Sequence, residues 1–147
     1  MALFHLAFRP FFLGAAGFAV ISILIWMAIF TFGWNFQISR MPPITWHAHE
    51  MIYGYSMAVI AGFVLTAIRN WTGIQTINGF PLLLLFLLWA VGRTLPFLGD
   101  IAPIELIAII DNLFLLFLIL NVTHPILKAK QWKSLVIVFK LLLILAS

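Results

Sequence analysis

The sequence predicts an all-α protein, a polytopic transmembrane helix bundle of four full spans and a partial fifth. Three observations carry this reading. Of 147 residues, 65% are hydrophobic and only 8% charged, whereas a soluble domain has roughly a quarter of its residues charged. The apolar residues fall into runs of about 20, the length that crosses a hydrocarbon core as a helix. Prolines, glycines and most cations gather between these runs. The runs are too continuous for the alternating strands of a membrane barrel, and a helix satisfies its own backbone hydrogen bonds inside lipid. A single transmembrane domain over residues 1–147 is expected.

The first span is placed at about residues 10–34. No charged residue lies between Pro10 and Gln37, and Pro10 suits a first helical turn, where its missing N–H would have no partner. The run is too long for a signal peptide and no small-residue cleavage site follows it, so it is expected to remain in the protein. Arg40-Met41-Pro42-Pro43 marks a loop. The second span runs over about 44–68 and the third over about 81–98, separated by a turn-rich stretch that contains Gly73 and Asn78-Gly79. A tight hairpin at Gly99-Asp100 leads to the fourth span, about 103–124, which ends near His124-Pro125. After Lys128, Lys130 and Lys133 a fifth apolar run occupies 134–147. It is shorter than the roughly 20 residues a spanning helix needs, so the chain is expected to end inside an incomplete helix.

Loop cations give the orientation. Placing the N-terminus in the cytoplasm puts Arg9, Arg69, Lys128, Lys130 and Lys133 on the inner side and Arg40 on the outer side, as the positive-inside rule requires. The net charge of +4 and pI near 10.0 therefore speak for the lipid bilayer as partner and not for nucleic acid. Trp34, Trp46, Trp71 and Trp132 fall at span ends and are expected to be interfacial anchors. His5 and His124, at inner ends, are read as interfacial residues. There is no cysteine, which excludes disulfides, iron–sulfur clusters and thiolate-bound metals.

The second span opens on Trp46-His47-Ala48-His49-Glu50-Met51-Ile52-Tyr53-Gly54. Ionisable groups at such depth are costly and mark a functional site by default. Ideal helical spacing puts His47, Glu50, Met51 and Gly54 on one face and His49 with Tyr53 on another. The first face continues through Ala58, Gly62 and Thr66, a small-residue stripe that allows close helix approach. His47 and His49 are thus expected to serve different partners. Arg93 and Glu105 flank the outer hairpin and are expected to pair across it. Asp111, nearer mid-bilayer, is expected to find Asn112, water or additional helices. Three classes of function remain open on these residues: a metal or haem site, a transporter or channel fragment using Glu50, Arg93, Glu105 and Asp111 for proton or ion passage, and a structural subunit whose polar groups only glue helices together.

Several motifs in order carry a resemblance. Phe8-Arg9-Pro10-Phe11-Phe12, then Trp46-His47-Ala48-His49-Glu50-Met51 with Gly54, then Gly62-Phe63-Val64-Leu65-Thr66-Ala67 and Asn70-Trp71-Thr72-Gly73, resemble the NnrS family. The Leu-rich run 82–93 with Trp89 and Gly92-Arg93 is similar to that family's third helix. The resemblance implies a bacterial inner-membrane protein that contains haem b and copper and acts in the nitric oxide response linked to denitrification. It also implies a longer protein, so the chain reads as an N-terminal portion that further helices of a partner chain or homo-oligomer can complete. For those cofactors His47 and His49 are the candidate ligands, with Met51 as a further copper ligand. Imidazole suits haem iron and copper, and thioether suits copper. Glu50, Tyr53, Arg93, Glu105 and Asp111 are the candidates for orienting them. Whether such a protein turns over a substrate is left open.

Overall fold

In a computed structural model, residues 4, 6–34 and 41–146 are described; His5 and Arg40, which entered the reading above, lie outside them. The described residues form helices without strands. We number the helices α1 (Phe8–Phe32), α2 (Pro43–Thr72), α3 (Gly79–Thr94), α4 (Ile104–Lys128) and α5 (Leu135–Leu145). Four helices are long and apolar enough to cross a membrane, α3 counting as far as Gly99. The fifth has 11 residues, about 16 Å at 1.5 Å per residue, half of a core about 30 Å thick.

The local chemistry explains where the helices stop. Pro10 lies in the first turn of α1 and Pro43 opens α2, positions that need no N–H donor. α2 ends where Gly73 turns left-handed at φ 67° and its N–H reaches Arg69 O at 3.0 Å. After α3 the chain tightens into a 3-10 segment, Leu95–Ile101, and breaks at Gly99, with φ 60° and ψ −129°, a conformation closed to residues with a Cβ. α4 does not stop near Pro125 as expected: it runs on to Lys128 with the proline inside. Proline removes one hydrogen bond and crowds the preceding turn, which a lipid-embedded helix accommodates through neighbouring donors. Pro125 removes the helical donor to Asn121 O, whereas Asn121 Nδ2 and Thr123 Oγ1 bond to other carbonyls of the preceding turns, Phe117 O at 2.8 Å and Ile119 O at 2.7 Å.

α2 is the centre of the bundle and packs against α1 and α4. Its small residues set the spacing: a Cβ on Gly62 would lie 3.1 Å from Phe11 Cβ and 3.3 Å from Phe8 Cα, so α1 sits directly on that stripe. The core joins Phe11, Ala15 and Phe18 of α1 to Ala58, Ala61, Leu65 and Ile68 of α2, and to Trp89, Phe114, Leu118 and Leu141 from α3, α4 and α5. Large apolar side chains such as Leu13, Ile21, Leu24, Phe63 and Leu116 face outward, as surfaces in contact with lipid tails do.

The tryptophans divide. Trp34, Trp71 and Trp132 are exposed near helix ends, as anchors are. Trp46 is not an anchor: it is 0% exposed and packs edge-on against Phe97, ring centroids 5.8 Å apart. Phe97, from the 3-10 segment Leu95–Ile101 that follows α3, lies against a ring that the sequence placed at the interface.

Candidate functional site: a buried charge cluster

The N-terminal half of α2 departs from α-geometry. Between an α-helical start, Pro43–His49, and an α-helical remainder, Met57–Thr72, residues Glu50–Ser56 form a π-helical segment. Such wide turns are rare and concentrate at functional sites. Ser56 supports this one: its hydroxyl donates to Met51 O, five residues back, at 2.7 Å. The wider winding changes which residues share a face. Ideal spacing grouped Glu50 with His47, but in the structure Glu50 meets His49.

Four ionisable groups converge there. Arg93 of α3 donates from Nη1 to Glu50 Oε2 at 2.8 Å and from Nη2 to Asp111 Oδ1 of α4. His49 closes the ring, with Nε2 3.1 Å from Asp111 Oδ2 and Nδ1 3.4 Å from Glu50 Oε1. Those contacts are close enough for electrostatic attraction but are not aligned as hydrogen bonds, so His49 Nδ1, Glu50 Oε1, Asp111 Oδ2 and Arg93 Nε are buried without hydrogen-bond partners. Glu50 is 0% exposed, and Arg93 and Asp111 are each 4%. At that depth an unpaired charge costs several kcal/mol. Tyr53 stacks on His49, ring centroids 4.9 Å apart. Two carboxylates against one guanidinium leave one formal negative charge beside the His49 ring.

Two glycines make room for the cluster. A Cβ on Gly54 would lie 2.8 Å from Glu50 Oε2 and 3.0 Å from Arg93 Nη1, and one on Gly92 would lie 2.8 Å from Asp111 Oδ1. Trp89 fixes the same level by donating Nε1 to Gly54 O at 2.9 Å.

Two sequence expectations are corrected here. Arg93 does not pair with Glu105, which is exposed; the 3-10 segment and Gly99 break between α3 and α4 set the register that brings Asp111, not Glu105, level with Arg93. Asp111 in turn needs neither Asn112 nor additional helices, because Arg93 and His49 reach it. His47 lies apart from the cluster. Its ring stacks on Trp26 at a centroid distance of 4.2 Å, and its Nδ1 is 3.5 Å from the hydroxyl of the buried Ser22. Trp26 in turn packs on Phe30, so an aromatic wall of α1 holds the imidazole. Met51 is half-buried within the π-helical turn.

A family model described as NnrS protein matches residues 2–147. The chain belongs to the NnrS family. No match was found among curated proteins or among solved structures. For an NnrS-family chain with four membrane-crossing helices, a multi-pass membrane protein in contact with lipid follows directly.

The donor set of this NnrS chain can be tested against haem b and copper. Among the described residues no group of three or more His, Asp or Glu side chains is arranged to hold a metal ion. In the cluster the reason is physical: the place a cation would take between Glu50 and Asp111 is filled by the guanidinium of Arg93. His49 turns both nitrogens to carboxylates and offers no lone pair outward. A metal site built on His49 therefore does not fit this arrangement, while the copper pair that helical spacing suggested, His47 with Met51, lies apart from these carboxylate contacts. His47 would fit as a residue holding haem iron, since a ligating imidazole usually has its other nitrogen fixed by a polar neighbour, here Ser22, and haem needs apolar surroundings, here Trp26 and Phe30.

Proposed function

We propose that this NnrS-family protein is a haem b-binding protein of the bacterial inner membrane that acts in the response to nitric oxide and nitrosative stress linked to denitrification, with His47 as iron ligand. The observation that carries this reading is the half-buried His47 imidazole, set between Trp26 and Ser22 at the end of a membrane-spanning helix. Bound haem would supply an iron centre with affinity for diatomic ligands; the chain's own part is to orient the imidazole and keep its surroundings apolar. Glu50, Arg93, Asp111 and His49 act on this reading as a charge lock that fixes the N-terminal half of α2 against α3 and α4. Copper, the second cofactor of the resemblance, is given no ligand set here.

The transporter or channel reading has one observation in its favour, the meeting of Glu50, Arg93 and Asp111 inside the span. Glu105 stands outside that group, and a guanidinium bonded to both carboxylates closes the gap that a mobile ion would cross. The structural-subunit reading shares the charge lock and differs only at His47.

An optical spectrum of the purified full chain tests the proposal. A Soret band is expected in the wild type, lost in His47→Ala and kept in His49→Ala. Protein from cells with ample iron and copper that contains neither metal would overturn it.

A further inference from the structure

The charges of the chain are separated by end. Glu50 and Asp111 are consumed by the cluster, while Asp100 and Glu105 lie in or beside the α3–α4 turn at that same end of the bundle. At the opposite end are Arg69, Lys128, Lys130 and Lys133. The basic loop is tied to α2 there, because Gln131 Nε2 donates to Trp71 O. From Glu50 to Arg69 is 19 residues of helix, about 28 Å, too far for any carboxylate of the cluster to neutralise that end.

Several cavities lie at the same end. Arg69, half-buried, lines a cavity of about 460 Å³ with Leu6, Gln75 and Asn78. Gln75 and Asn78 also border a cavity of about 500 Å³ that reaches Pro81, Asn121 and His124. It shares Ile77, Pro81 and Asn121 with a mostly apolar groove of about 470 Å³ between α3 and α4, walled further by Leu84, Leu85, Leu88 and Phe117. The connecting loop is held in place by Thr76, buried, whose hydroxyl donates to Leu65 O at 3.0 Å. The amides on either side of that peg, Gln75 and Asn78, are exposed; each gives one N–H to Thr76 O at 3.3 Å and keeps a second for another acceptor.

We propose that this end binds one anionic phospholipid, its phosphate on Arg69 with the Gln75 and Asn78 amides and one acyl chain in the α3–α4 groove. Three features select that occupant. The polar mouth has a cation and amide donors and no carboxylate, so it complements a phosphate diester. The groove below is apolar and opens towards lipid. From Pro81 to Leu88 it runs about 10 Å along α3, two-thirds of one leaflet of a core about 30 Å thick, as an acyl chain running down from a headgroup at the mouth would. Basic pockets between membrane helices recognise anionic headgroups in this way. The inference is independent of the haem reading, since none of its residues touches His47.

Native mass spectrometry of the full chain released from nanodiscs tests it, with phosphatidylglycerol and phosphatidylcholine of identical acyl chains. One phosphatidylglycerol is expected to stay bound to the wild type and phosphatidylcholine to leave. Arg69→Gln is expected to weaken retention about fivefold, the worth of one basic residue facing anionic lipid. Arg69→Lys should keep most of it, and Lys133→Gln, on the exposed loop, should change it little. Leu84→Trp, which fills the groove, should also release the lipid. Equal retention of both lipids would overturn the proposal, as would equal losses in Arg69→Gln and Lys133→Gln. Displacement of the lipid by glycerol phosphate at the same concentration would do so too, since the groove would then contribute nothing.

Discussion

Arg93 is the residue on which the charged end of the bundle around Glu50 and Asp111 turns. Its guanidinium meets two buried carboxylates from different helices, one with each end. Replacing it by Met preserves much of the packing but leaves Glu50 and Asp111 facing each other. Removing one partner of a buried ion pair costs about 3–5 kcal/mol, so Arg93→Met is expected to lower stability by that amount in denaturant titration of the detergent-solubilised protein. Arg93→Lys should recover only part, because a point charge cannot bridge two carboxylates as a planar fork does. Gly92→Ala is expected to act in the same direction, its Cβ intruding on Asp111 Oδ1. A stable Arg93→Met protein would show that the carboxylates find another partner. That Arg93, Glu50 and Asp111 were exceptional was legible in the sequence, since charges are rare in membrane spans. Which of them meet was not, because pairing depends on helix register, and the hairpin that suggested Arg93 with Glu105 contains a 3-10 segment whose geometry no spacing rule supplies.

At the scale of the element, the π-helical segment Glu50–Ser56 converts a sequence pattern into a different set of neighbours. An ideal α-helix turns 100° per residue and separates His49 from Glu50 and the small-residue stripe; the wider turn lets both reach Arg93 and Asp111 while Ala58, Gly62 and Leu65 still face the core. Deleting Ile52, an exposed residue of this segment, would restore α-winding and rotate everything before it by about 100° about the helix axis. The cluster would then be broken from the side of α2. The deletion is therefore expected to cost about as much as Arg93→Met, and the two changes together little more than either, since they remove one shared interaction. Fully additive losses would separate the π turn from the charge lock. The stripe itself was readable from spacing because it lies mostly below the irregular turn, where α2 is regular. Trp46 was misread for the converse reason: it lies above that turn, against Phe97 of the 3-10 segment, and sequence position alone does not report such a neighbour.

The whole molecule has a sided distribution of charge, and this gives its orientation in the membrane a direct test. Span number and order came out of the sequence because length and hydropathy report them without any tertiary knowledge; orientation rests on Arg and Lys counts alone, to which the fold adds only that the acidic residues gather at the end opposite the lysines. Since the chain has no cysteine, single cysteines can be introduced without background labelling. Ile101, 81% exposed in the α3–α4 turn, and Lys130, exposed in the basic loop, mark the two ends of the bundle. With the basic end inside, as the positive-inside rule requires, Ile101→Cys is expected to react with a membrane-impermeant maleimide in intact spheroplasts. Lys130→Cys should react only after permeabilisation. The opposite pattern would place Arg69 and the lysines outside and move His47 to the cytoplasmic face. In that case the phospholipid at Arg69 would have to come from the outer leaflet, and the haem proposed at His47 would meet nitric oxide from the cytoplasm.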